Sequence, residues 1–115
     1  MKSCTDIEQS KKLLELGVTP KTADMHYILI GDMDSENIIC SDICPLEVGK
    51  PYNELTLPAW SLSALLSVLP NGNMLVKTIE GGYYCLSKYS MTKHYDNPID
   101  ACYEMILKLH ELNLL

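Results

Sequence analysis

The run from Thr56 to Leu69 constrains the fold more than any other stretch, because it holds the only tryptophan and the densest apolar content and lies between two segments that read as strands. Its pattern predicts a central helix. Thr56 is placed as N-cap, and Pro58 falls in the first turn, where a missing N–H costs nothing. Leu57, Trp60, Ala64, Leu65, Val68 and Leu69 recur at helical spacing, Ser61, Ser63 and Ser67 interrupt the other side, and Pro70 and Gly72 end the run. Leu62 and Leu66 widen the apolar stripe beyond one contact face, so the helix is expected to be deeply packed or to share a face with a partner.

A chain of 115 residues fits a single domain over 1–115 and can bury roughly two-thirds of the surface that its unfolded form exposes. A net charge of -6 is the wrong sign for a phosphate-binding surface, and the nine basic residues form no run, which argues against nucleic acid as a partner. Five cysteines cannot all pair within one chain, and the start Met1 to Asp6 has no apolar core like that of a secretion signal. Reduced thiols in a cytoplasmic protein are therefore expected. No apolar run approaches the roughly 18 residues that span a bilayer, so no membrane is expected either.

Ahead of the central helix, Thr5-Asp6-Ile7-Glu8 has the form of a capping box, with Thr5 as the cap. Gly17 offers a left-handed stop with Val18 placed to fold back on Leu13. Met25 to Ile30 reads as a strand, Gly31 to Asn37 as a turn and Ile38 to Cys40 as a short returning strand. Ser41 to Asn53, punctuated by Pro45, Gly49 and Pro51, reads as a long loop.

Beyond the central helix, Met74 to Ile79 and Tyr83 to Tyr89 flank Gly81-Gly82, which predicts a two-residue hairpin turn with Glu80 facing Tyr83, Ile79 facing Tyr84 and Thr78 facing Cys85. Its core face is ambiguous: Ile79, Tyr84 and Leu86 argue for one side, Met74, Val76 and Tyr89 for the other. A last helix opens at Asn97-Pro98-Ile99-Asp100, with Asn97 as N-cap. Ile99, Cys102, Tyr103, Ile106, Leu109 and His110 should line its buried face, and Leu112, Leu114 and Leu115 leave an apolar end.

The stretches Ile7 to Gly17, Thr56 to Leu69 and Pro98-Ile99-Asp100-Ala101-Cys102-Tyr103-Glu104 together resemble those of small uncharacterised proteins of gut Bacteroidetes genomes and their prophages. Those carry an N-terminal helix ending in Gly, a central Thr-Leu/Ile-Ala helix, two strands and a closing helix begun by Pro. The resemblance covers most of the chain and implies the fold, not an activity. Pro58 and the short Pro70-Asn71-Gly72 connection depart from its pattern.

Candidates for chemistry are few. Cys40 and Cys44 stand four apart, as in some zinc sites, but the second ligand pair is missing. His26 or His94 could activate Cys85 or Cys40 in the fold, yet no local signature marks such a pair. Asp32, Asp34 and Glu36 suggest a calcium loop, but Asn37 stands where the loop needs glycine and Ile43 where it needs glutamate. Neither a cofactor nor a metal is expected. Tyr83, Tyr84, Tyr89 and Tyr95 cluster in or after the second hairpin and, with Leu112, Leu114 and Leu115, form the candidate interaction surface.

The expected fold is α+β, in the order α-β-β-α-β-β-α, with two or three helices on an antiparallel sheet of about four strands. The expected function is non-enzymatic: a protein-interaction or self-associating accessory module, with a homodimer as one form. Two alternatives stand beside it, a thiol- or histidine-dependent enzyme and an acidic inhibitor or antitoxin-like protein of a mobile element.

Overall fold

The computed structural model describes residues 2–30, 39–45 and 56–115. The turn containing Asp32, Asp34 and Glu36 and the part of the expected loop from 46 to 53 lie outside the described residues.

Helix α1 (Ile7–Glu15) is capped by Asp6 rather than Thr5, with Gln9 N–H donating to Asp6 Oδ1 at 2.8 Å and Asp6 N–H to Gln9 Oε1 at 3.1 Å. Thr5 has a different task. It is fully buried, its hydroxyl lies 2.8 Å from the Ser10 hydroxyl and accepts from Trp60 N–H at 3.0 Å, and its own N–H donates to Trp60 O at 2.9 Å. A tertiary partner thus takes the side chain that local pattern assigns to the cap.

Strand β1 (Met25–Ile30) pairs antiparallel with β2 (Ile39–Pro45) on one side and, from Met25 to Ile28, with β3 (Thr56–Ala59) on the other, giving a three-stranded sheet in the order β2-β1-β3. The strand expected to end at Cys40 runs on to Pro45, because β1 offers pairing along its whole length, with a register shift between Tyr27 and Leu29. Residues 41–45 are therefore strand, not loop. Pro45 closes β2 opposite Met25, an end position that tolerates a missing donor.

The central helix is also corrected. Thr56 to Ala59 form β3, and α2 is only Leu62–Val68. Ser61 is the cap, its Oγ accepting from Ala64 N–H at 3.3 Å, while the Asp24 carboxylate accepts both Ser61 N–H at 2.9 Å and the Ser61 hydroxyl. Register with β1, which sets Ala59 opposite Met25 and Leu57 opposite Tyr27, outweighs the helical spacing of the first four residues. Trp60 sits at the joint between strand and helix, wholly buried, with its indole N–H donating to Thr22 Oγ1 at 2.9 Å.

Strands β4 (Met74–Lys77) and β5 (Tyr83–Leu86) form a second, two-stranded sheet. Lys77 faces Tyr83 and Leu75 faces Cys85, so the connection is five residues, 78–82, instead of two. Thr78 sets this register: its carbonyl accepts Gly81 N–H, its hydroxyl accepts Gly82 N–H at 2.9 Å, and its N–H donates to Gly82 O at 2.8 Å. Gly81 takes the left-handed conformation at φ +96°, and Ile79 is left fully exposed at the tip. The core face carries Leu75, Tyr83 and Cys85, so the opposite face carries Met74, Val76, Tyr84 and Leu86, a division that neither apolar grouping of the sequence matches.

Helix α3 (Pro98–Glu111) begins as its sequence indicates, with Asp100 N–H donating to Asn97 Oδ1 at 2.8 Å. Ile99, Ala101, Cys102, Met105, Ile106 and Leu109 are buried, each large apolar one contributing about 1.5–3 kcal/mol over its exposed state. Tyr103 is half-buried, and His110, expected on the buried face, is exposed. Asp100 ties the start of α3 to the N-terminal segment through Lys2 and Gln9, each at 2.8 Å. Burial pushes its carboxyl pKa up, but hydrogen bonds from Lys2, Gln9 and Asn97 outweigh this and hold it below the ordinary carboxylate value.

Two sheets of three and two strands therefore replace the expected single sheet of about four, and among the described residues the order is α1-β1-β2-β3-α2-β4-β5-α3. The class is α+β. Among the described residues no helix is long and apolar enough to cross a membrane.

Candidate interaction surface

The apolar end anticipated at Leu112 to Leu115 is built by the way α3 stops. Asn113 adopts a left-handed conformation, φ +56°, which asparagine tolerates better than most residues. The chain then turns back: Asn113 N–H donates to His110 O at 3.1 Å and Leu114 N–H to Leu109 O at 2.8 Å. This paired reversal brings Leu114 onto Leu109.

Leu114 and Leu109 line a groove of about 370 Å³ whose other walls are Pro70 to Asn73, after α2, and Ser87, Lys88 and Tyr89, after β5. Leu115 lines a second groove of about 310 Å³, with Leu16, Val18, Thr19, Thr22, Val68 and His110. Successive residues of the tail thus belong to different grooves, and the tail forms the ridge between them. Leu112, Leu114 and Leu115 remain 51%, 39% and 44% exposed, and Tyr89 is 63% exposed, with Lys88 Nζ 5.7 Å from its ring centre. Leu66, Met74 and Met91 are also exposed; Leu66 is one of the two leucines that widen the helical stripe beyond one contact face, whereas no sequence feature marks Met74 or Met91.

The four tyrosines do not act as one patch. Tyr83 and Tyr95 exchange backbone hydrogen bonds, both 2.7 Å, and their side chains pack partly buried against the core. Lys77 Nζ lies 6.0 Å from the Tyr83 ring centre. Tyr84 lies on the outer face of the hairpin, 5.0 Å from the His94 ring, so only Tyr89 reaches the groove beside Leu114.

The candidates for chemistry are scattered. Cys40 stands opposite Leu29 and Cys44 opposite His26 in the register of β2 and β1. His26 is half-buried, and its Nδ1 meets no hydrogen-bond partner among the described residues. His94 is exposed beside Tyr84. Cys85 meets a second thiol instead of a histidine, its Sγ 3.6 Å from Cys102 Sγ in the core. The Cys102 hydrogen bond lowers the Cys85 pKa against the effect of burial, while the same bond, burial and the facing sulfur raise that of Cys102. Among the described residues no group of three or more His, Cys, Asp or Glu side chains could hold a metal ion.

Comparison with family models, with curated proteins and with solved structures finds no match to this chain.

Proposed function

We propose that this protein is a small interaction module without catalytic activity, whose contact surface is the end of the molecule formed by the α3 tail and the two grooves beside it. The observation that carries this reading is the exposure of Leu112, Leu114, Leu115 and Tyr89, with Leu114 and Tyr89 lining one groove and Leu115 the other. Large apolar side chains grouped in this way lose solvation free energy in water and recover it on contact with another chain.

A second copy is the proposed occupant. A symmetric dimer needs one surface that complements itself, and a ridge of leucines flanked by grooves meets that need by placing each ridge in the other chain's groove. Light scattering at roughly 100 µM, a range in which modest apolar interfaces associate, is expected to return twice the chain mass. Leu112→Asp with Leu115→Asp is expected to return the mass of one chain with the circular dichroism unchanged, since both side chains are exposed. A wild-type protein that stays at the mass of one chain overturns the self-association.

A further inference from the structure

The Cys85 and Cys102 sulfurs meet at 3.6 Å, both residues wholly buried, from positions 17 residues apart on a strand and a helix. Contact alone does not require this. A buried thiol commonly acts as a small apolar filler, but two on facing elements with their sulfurs at contact distance need only a small movement to bond. Around them the backbone is well held: Cys85 N–H donates to Thr92 Oγ1 at 2.9 Å, and Cys85 O accepts Thr92 N–H at 3.0 Å. Cys4, the other buried cysteine among the described residues, has its sulfur 3.5 Å from the Tyr27 hydroxyl, an oxygen with which it cannot form such a bond.

We propose that Cys85 and Cys102 are a modification site, a dithiol that a small hydroperoxide closes into a disulfide clasping β5 to α3. The Cys85 sulfur attacks the nearer peroxide oxygen. The O–O bond breaks, water or an alcohol leaves with a proton, and Cys85 becomes a sulfenic acid. Cys102 Sγ then attacks the Cys85 sulfur, the S–O bond breaks and water leaves with the Cys102 proton. Two thiols are oxidised and one peroxide is reduced. Because both sulfurs are buried, an oxidant reaches them through local opening of the fold, which favours a small peroxide over a larger disulfide.

Hydrogen peroxide applied to the folded protein, followed by alkylation in denaturant and peptide mapping without reductant, tests this. The linked Cys85–Cys102 peptides are expected to exceed every other cysteine pairing by about tenfold, to disappear with dithiothreitol, and to accompany a higher thermal midpoint. In Cys102→Ser, Cys85 is expected to stop at a sulfenic acid that dimedone traps, whereas Cys85→Ser leaves Cys102 alkylatable. If either variant fails to fold, the wild-type map still decides. Both thiols recovered as alkylated residues, or a mixture of pairings like that from protein oxidised in urea, overturns the proposal.

Discussion

Helices α1 and α3 end in the same way and with opposite results. In α1, Gly17 takes the left-handed conformation, Gly17 N–H donates to Leu14 O and Val18 N–H to Leu13 O, and Val18 is thereby buried in the core. In α3, Asn113 and Leu114 repeat that arrangement on His110 and Leu109, yet Leu114 stays partly in solvent beside a groove. The reversal therefore delivers an apolar side chain to the end of a helix without deciding whether it is covered. At α1 the rest of the chain covers it. At α3 the described residues leave it 39% exposed.

Substitutions at the two ends sharpen or break this contrast. The largest effect is expected for Leu13→Ala, which empties a fully buried site under the α1 reversal and should cost about 2–5 kcal/mol in urea unfolding. Gly17→Ala should cost about 1–2 kcal/mol from backbone conformation alone, because φ is +90° and a Cβ there meets nothing within 4 Å. The smallest is Leu114→Ala, expected to change the stability of the isolated chain by no more than about 0.5 kcal/mol at a concentration too low for association. A loss at Leu114 comparable to that at Leu13 would mean that the tail is packed core, and the contrast would fail.

What could be read in the sequence was what short-range chemistry decides. Asn97-Pro98 opens α3, Gly17 ends α1, and Leu112 to Leu115 form an exposed apolar end, because caps, left-handed stops and unburied leucines depend on neighbours a few residues away. Thr5 and Thr56 were misassigned for the opposite reason. Thr5 is claimed by Trp60, and Thr56 to Ala59 by β1, partners that no local window contains. The β4–β5 register turned on the Thr78 hydroxyl, which displaced the two-residue turn that a Gly-Gly pair suggests. Of the residues named as a candidate surface, Tyr89 and the three leucines are exposed, while the inward packing of Tyr83 and Tyr95 depended on which hairpin face meets α3. The meeting of Cys85 with Cys102 leaves no spacing signature, since it joins a strand to a helix across the fold.

The joint at Trp60 has a further consequence. As the only indole in the chain, wholly buried and hydrogen-bonded to Thr22, it is a built-in fluorophore for the place where the N-terminal segment, β3 and α2 meet. Its emission reports on the integrity of that joint, and through Thr22, which both accepts the indole N–H and lines the second groove, the joint reaches the edge of the α3 tail.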